Sequence, residues 1–224
     1  MSTWNPIFAT RRLLGVAAIL CLALTLAGTA GAAAVAGRDY VSISPPLPTD
    51  SGGKVEVLEF FWYGCPHCFD LEPALTKWVK NLPKDVEFKR VPAIFRESWV
   101  PGAKLYYALE AMGELDRLHK DVFDAIHADR TNLFDEKILT EWLSKKGVDR
   151  KKFGETYSSF SVQSKVQRAM QITQASKIQG VPAVAVQGKY VTSNSIAGGM
   201  DGIFPILDDL IAKVRAERGG AAKK

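Results

Sequence analysis

Residues 54–68 read KVEVLEFFWYGCPHC, and this stretch decides the fold. From Lys54 to Tyr63 it is rich in β-branched, aromatic and aliphatic side chains, which is typical of a strand buried on both faces at the centre of a sheet. Gly64 ends the strand, and the apolar residues from Leu71 to Leu82 then repeat at the spacing of a helix. The two cysteines of the stretch therefore lie where a buried strand meets the start of a helix.

The position of Cys65-Pro66-His67-Cys68 predicts thiol chemistry. At a helix start, unpaired backbone N–H groups and the positive end of the helix dipole stabilise a Cys65 thiolate. Pro66 has no N–H that would lack a partner there, and His67 adds positive potential. Cys68 follows about one helical turn later, so the two sulfurs can close a small, reducible disulfide. Because a stable thiolate favours the reduced pair, this disulfide is predicted to oxidise other thiols.

Two other interpretations of a Cys-x-x-Cys pair stay open, namely half of a metal site and a structural disulfide. Zinc would need two further ligands, and the only candidates among Cys and His are His67, His119 and His127. We interpret His119 and His127 as surface histidines on helices. A structural disulfide across so short a loop would constrain little of the unfolded chain. Redox chemistry without a bound metal is therefore the favoured prediction.

The rest of the chain alternates between strand and helix signals. A second strand is predicted at Val86–Val91, and helical spacing then continues from Trp99 to Ser176. A hairpin is predicted between residues 181 and 192, followed by a closing helix at 203–214. The order is β-α-β, a helical block, and β-β-α. We predict an α/β fold in which the helical block is inserted, because each flanking piece is too small to form a core alone.

The composition excludes several classes of protein. At 224 residues the chain can hold one domain, or one domain with a substantial insertion. Its charge of +5 is too small and too scattered to indicate a nucleic-acid-binding surface. Its three cysteines are too few for a disulfide-stapled miniprotein or for a separate zinc site of four cysteines.

The N-terminal residues predict export. Arg11 and Arg12 precede a stretch without charged residues from Leu13 to Gly37, and small residues crowd its far end. This is the pattern of a secretory signal peptide, for which we expect cleavage between Ala30 and Ala36, with loss of Cys21. The uncharged stretch is also long enough for an uncut transmembrane anchor. Both interpretations export the rest of the chain.

Three segments together resemble the DsbA family of periplasmic thiol:disulfide oxidoreductases: residues 60–68 (FFWYGCPHC), 180–183 (GVPA) and 188–190 (GKY). The resemblance covers roughly residues 39–214. It implies a thioredoxin fold with an inserted all-helical domain. The expected limits are a signal peptide at 1–36, thioredoxin-like parts at 37–98 and 177–218, the helical insertion at 99–176, and a frayed tail at 219–224.

The resemblance also implies roles for individual residues. Cys65 corresponds to the surface-exposed cysteine that a substrate thiol attacks, and Cys68 to its buried partner. Pro182 corresponds to the family's cis-proline, and the backbone of Val181 to the edge that pairs with an extended substrate segment.

Glu59 corresponds to a buried acid beneath the active site, and together with Pro66 and His67 it completes the predicted catalytic residues. The alternative is an ordinary exposed strand residue. Glu59 shares a strand face with Val57 and Phe61, and an acid among apolar neighbours is costly unless it has a function. We therefore expect it to exchange a proton with Cys68.

The predicted function is thiol:disulfide interchange, in which the Cys65–Cys68 disulfide is donated to unfolded exported proteins with free cysteines. The resemblance implies a monomer in the periplasm that needs no cofactor beyond this disulfide. It also implies reoxidation by a quinone-linked membrane partner of the DsbB type, and no nucleic acid is expected to bind. The variable stretch at 62–64 and the short polar loop at 193–199 leave the substrate preference open.

Two alternative functions remain. One is a disulfide isomerase or reductase that is kept reduced, although the N-terminal dimerisation module of periplasmic isomerases has no room ahead of the first strand. The other is a carrier of Cu(I) that uses the Cys-x-x-Cys loop.

Overall fold

The predicted central strand lies within the sheet of the computed structural model, which describes residues 33–221. This strand, β2 (Val55–Phe61), is buried along its whole length. It pairs in parallel with β3 (Val86–Pro92) on one side and antiparallel with β4 (Ala183–Val186) on the other. The prediction of a strand buried on both faces is confirmed.

Two further strands complete the sheet. β4 pairs antiparallel with β5 (Tyr190–Ser193), and β5 pairs antiparallel with β1 (Val41–Ser42), which gives the order β1-β5-β4-β2-β3. β1 was not among the predicted strands, and the side chains of Ile43 and Leu47 that follow it are buried. A two-residue strand is too short to show the alternation by which strands are recognised in a sequence.

The helices fall into two groups, those of the thioredoxin-like part and those that lie between β3 and β4 in the sequence. The first group is α1 (Pro66–Lys80) and α7 (Met200–Ala221). The second is a short 3₁₀ turn (Glu97–Trp99), α2 (Val100–Met112), α3 (Leu115–His127), α4 (Glu136–Lys145), α5 (Arg150–Tyr157) and α6 (Phe160–Ser176). We call α2–α6 the helical block. The predicted fold class, a thioredoxin-like α/β fold with an all-helical insertion, is confirmed.

Both faces of the sheet are covered by apolar side chains. One core includes Val57 of β2 with Leu75 of α1 and Leu207 of α7. The other includes Phe60 of β2 with Leu105 and many further residues of the helical block. The burial of β2 on both faces follows from this arrangement.

Side-chain hydrogen bonds hold several helix ends in place. Asp135 caps α4, since its carboxylate accepts hydrogen bonds from the backbone N–H groups of Lys137 and Ile138, each at 3.0 Å. α7 instead extends to Ala221, past the predicted end at 214 and into the predicted frayed tail. Its last turn is held because the Arg218 guanidinium donates hydrogen bonds to the backbone carbonyls of residues 53 and 54.

Among the helices of residues 33–221, none has an apolar stretch of the length that a membrane crossing requires. The predicted signal peptide, including Cys21, lies outside the described residues except for positions 33–36.

The cap on α4 provides a test of the helical block. We expect Asp135→Ala to lower the free energy of unfolding by about 1 kcal/mol, because two N–H groups at the start of α4 lose their acceptor. Asp135→Asn, which keeps a side-chain oxygen at the same place, is the matched control and should retain most of the stability. Urea denaturation followed by circular dichroism measures both, and an alanine variant as stable as the wild type would contradict the assignment.

Candidate active site

Cys65 lies at the N-terminal cap of α1. Its backbone is extended (φ −91°, ψ 116°), and Pro66 occupies the first turn of the helix, as predicted. The Cys65 carbonyl accepts the first hydrogen bonds of the helix from the N–H groups of Cys68 and Phe69, both at 3.1 Å. No acidic residue lies in the first turn. The positive end of the helix is therefore not offset by a carboxylate beside the Cys65 sulfur.

The surroundings of Cys65 favour its thiolate. The pKa of Cys65 falls to about 6, chiefly because the Cys68 thiol donates a hydrogen bond to its sulfur. The backbone N–H groups of Cys68 and His67 and the charge of His67 lower the pKa further, while burial opposes them. A thiolate stable near neutral pH is a good leaving group.

Cys68 has the opposite character. Only 1% of its surface is exposed, and burial raises its pKa well above the ordinary value. The neighbouring Cys65 and the charge of Glu59 raise it further. Both cysteines are free thiols in the structure. The reduced pair therefore holds one negative charge on Cys65 and one proton on Cys68 near neutral pH.

The segment at Val181-Pro182 lies against Cys65. The Val181–Pro182 peptide bond is cis, and the Cys65 sulfur lies 3.4 Å from the Val181 carbonyl oxygen. The resemblance implied a surface-exposed Cys65, but only 8% of its surface is exposed, because this segment partly covers it. Cys65 is still more accessible than Cys68.

A groove borders this segment. It has a volume of about 640 Å³, and its lining is mainly apolar, with His67, Val181, Pro182 and Met200 among the residues. The polar loop after β5 lines it through residues 193–196. The groove lies beside the active-site turn, since His67 is one of its lining residues.

Glu59 is buried beneath the two cysteines, as predicted, with 1% of its surface exposed. It lies opposite Arg90 in the pairing of β2 with β3, and the Arg90 Nε donates a hydrogen bond to its carboxylate at 2.9 Å. Arg90 also donates to Glu72 of α1 at 2.8 Å. Burial nevertheless raises the pKa of Glu59 to about 7, because it outweighs the ion pair with Arg90. The interpretation of Glu59 as an exposed strand residue is excluded.

Arg90 and Glu72 were not predicted as site residues. Charged residues are common in strands and helices, so neither stands out in the sequence. The sequence also does not reveal which residue of β3 lies opposite Glu59 of β2. Had the register of β2 on β3 been known, the Glu59–Arg90 pair would have been evident.

The interpretation of His119 and His127 as surface histidines was wrong. His119 is 6% exposed, and its Nδ1 lies 2.8 Å from the Tyr63 hydroxyl. His127 is half-buried, and its Nε2 lies 2.8 Å from the Tyr63 backbone carbonyl. A signal was available for His119, which lies one helical turn from the apolar residues Leu115 and Val122.

The variable stretch at 62–64 is packed into the protein. The Trp62 ring stacks on Trp99 with centroids 4.3 Å apart and planes 2° apart. A Cβ added at Gly64 would approach the Trp62 ring to 2.5 Å. Glycine is therefore required at this position if Trp62 is to keep its place beside the active-site turn.

Within residues 33–221 no cluster of three or more His, Cys, Asp or Glu side chains is arranged to hold a metal ion.

Comparisons with known proteins show the family to which the chain belongs. A family model described as a DSBA-like thioredoxin domain matches residues 90–203. The thiol:disulfide interchange protein DsbA of Bordetella parapertussis is 46% identical over 205 residues, which cover 91% of this chain and 96% of that protein. DsbA of Pseudomonas aeruginosa is 40% identical over 211 residues, covering 92% of this chain and 98% of that protein. The crystal structure of Pseudomonas aeruginosa DsbA superposes with a TM-score of 0.79 at 40% identity, covering 85% of this chain and 97% of that one. The chain belongs to the DsbA family of thiol:disulfide oxidoreductases.

Proposed function

We propose that Cys65 and Cys68 form the redox-active disulfide with which this oxidoreductase oxidises pairs of thiols in unfolded exported proteins. The unequal pKa values of the two cysteines carry the proposal: the pKa of Cys65 is lowered to about 6 and that of Cys68 is raised. A low pKa at Cys65 stabilises the reduced protein, so electrons move from substrate thiols to the enzyme. The reaction needs no cofactor beyond the disulfide.

The reaction proceeds in two displacements. A substrate thiolate attacks the Cys65 sulfur, the bond between the cysteines breaks, and the sulfur of Cys68 leaves. The second substrate thiolate then attacks the substrate sulfur of the mixed disulfide, and Cys65 leaves as a thiolate. The substrate loses two electrons to form its disulfide, and the enzyme gains them as one thiolate and one thiol.

Glu59 supplies the proton for the first displacement. The leaving Cys68 sulfur is buried and has a raised pKa, so it needs a proton at once. Glu59 lies near enough for its charge to affect the pKa of Cys68, and its own pKa of about 7 keeps a fraction protonated near neutral pH.

The remaining predicted residues act on the sulfur and on the substrate. The N–H and charge of His67 stabilise the Cys65 thiolate. Pro66 begins α1. Val181 presents backbone groups beside Cys65, where an extended substrate segment can pair, and Pro182 fixes that segment next to the groove.

The proposed location is the periplasm, and the proposed electron acceptor of the reduced enzyme is a quinone-linked membrane protein of the DsbB type. Both follow from the family resemblance and from the predicted export signal at residues 1–36. An exported chain whose only cysteines after cleavage are Cys65 and Cys68 has no other thiol to compete for its own disulfide.

Oxidation of a test protein examines the proposed function directly. We expect the oxidised wild type to convert a reduced, unfolded protein with two cysteines to its disulfide form in equimolar amount, as followed by thiol alkylation and mass spectrometry. Cys65→Ser should give no product. An equilibrium with glutathione that lies toward the oxidised enzyme would instead indicate a reductase.

Ionisation of the reduced protein provides a second test. The ultraviolet absorbance of the thiolate is expected to appear with a midpoint at about pH 6 and to be absent in Cys65→Ser. Cys68→Ala should raise the midpoint, because the Cys68 thiol donates the hydrogen bond that lowers the pKa most. A wild-type midpoint near that of a free thiol would contradict the assignment of Cys65.

Glu59→Gln tests the proton donor. In the wild type the rate of the first displacement, divided by the concentration of attacking thiolate, should fall as pH rises through about 7, because Glu59 loses its proton. Glu59→Gln should be slower below this pH and should lack the dependence. Stopped-flow fluorescence with a small thiol measures the rate. Glu87→Gln, the same chemical change on the neighbouring strand, is the control, and a profile for Glu59→Gln like that of the wild type would exclude the role.

A further inference from the structure

We infer that His127 of α3 is a positioning residue for the Cys65–Cys68 pair, and that the helical block thereby sets the redox properties of the thioredoxin-like part. The inference rests on the proposed roles of Cys65 and Cys68. It assigns a function to a side chain that touches neither sulfur.

His127 contacts the chain on both sides of the active-site motif. Its Nε2 lies 2.8 Å from the carbonyl oxygen of Tyr63, two residues before Cys65. Its ring stacks on Phe69, the residue after Cys68, with centroids 4.9 Å apart and planes 16° apart. Because a carbonyl oxygen only accepts hydrogen bonds, the proton of this pair lies on Nε2 of His127. The His127 imidazole therefore contacts the chain just before and just after the turn that carries the two cysteines.

The Tyr63 carbonyl depends on this contact. β2 ends at Phe61 and α1 begins at Pro66, so Tyr63 lies outside both ladders of backbone hydrogen bonds. Tyr63 is buried, so an unpaired carbonyl there would raise the free energy of the folded protein. Without His127, we expect the backbone at Tyr63 to rotate until the carbonyl finds another donor. Such a rotation would occur two residues before Cys65.

The side chain of Tyr63 is held from the same helix. The Tyr63 hydroxyl lies 2.8 Å from Nδ1 of His119, and the Tyr63 ring packs edge-on against Phe123, with centroids 5.0 Å apart. His119 and His127 are eight residues apart, about two helical turns, and so face the same side of α3. α3 therefore contacts Tyr63 at two points, the phenol hydroxyl and the backbone carbonyl.

The groups around His119 determine its protonation state and tautomer. Burial lowers the pKa of His119, so its ring is neutral near neutral pH, with Arg90 acting in the same direction and Glu72 and Asp116 opposing. Nε2 of His119 lies 3.6 Å from the Glu72 carboxylate, which favours the tautomer that carries the proton on Nε2. Nδ1 is then the acceptor for the Tyr63 hydroxyl.

Positioning matters more for the reduced state than for the oxidised state. The Cys65 thiolate relies on the direction of the His67 and Cys68 N–H groups, whereas the disulfide carries no charge to stabilise. Movement of the turn at Tyr63 therefore raises the free energy of the reduced protein more than that of the oxidised protein. A residue that only supported the fold would affect both states equally.

The test compares two substitutions of His127, one that removes the hydrogen-bond donor and one that removes the ring. His127→Phe keeps a ring to stack on Phe69 but removes the donor, whereas His127→Gln keeps an N–H donor but removes the ring. For His127→Phe we expect a raised pKa of Cys65 and a shift of the equilibrium with glutathione toward the oxidised protein of roughly fivefold, the equivalent of one hydrogen bond. His127→Gln should restore most of both values.

Val122→Ala is the control for destabilised packing, since Val122 is a fully buried apolar residue of the same helix. It should lower the free energy of unfolding with no change in the glutathione equilibrium. The proposal is overturned if His127→Phe lowers stability alone, as Val122→Ala does, or if glutamine behaves like phenylalanine. The wild-type thiolate titration is independent of these variants, so a failure of the proposed function is distinguished from a failure of this inference.

Discussion

A negative charge on the sulfur of Cys65 is the state on which the rest of the site depends. That charge lies at the start of α1, where backbone N–H groups have no partners within the helix, and no carboxylate of the first turn competes for them. The second cysteine contributes as a neutral donor because burial keeps its proton in place. The asymmetry of the pair thus results from one cysteine lying at a helix terminus and the other lying one turn inside it.

A cluster of buried charged residues lies beneath the two cysteines. Glu59, Arg90 and Glu72 come from β2, β3 and α1, and together they hold more negative than positive charge when every group is ionised. Such a cluster contributes little net stability compared with apolar packing. Its presence among the apolar residues of β2 is better explained by a need for a group that can give up or take a proton near neutral pH.

The sequence was sufficient for the features that depend on neighbours along the chain. The strand before the motif and the helix after it are set by local patterns, and both were predicted correctly. The pairing of Glu59 with Arg90 was not accessible, because it depends on the register between two strands. The partners of His119 and His127 were missed because they lie more than fifty residues away in the sequence, although the spacing of His119 from Leu115 and Val122 indicated that it is buried. The sequence therefore predicted the sulfur chemistry of the site. It did not predict the side chains that position the active-site turn.

The pairing of β2 with β4 has a consequence for the order of assembly. Val57 lies beside Val186, so the middle of the sheet joins segments from opposite ends of the chain. In a chain that is synthesised from its N-terminus, the two cysteines appear long before the segment at Val181 that covers them. Contacts so distant in sequence form slowly, since a long loop must close first. Newly made chains thus pass through a period in which the thiols exist without the groove, and the competent enzyme arises only when β4, in the last fifth of the chain, has joined the sheet.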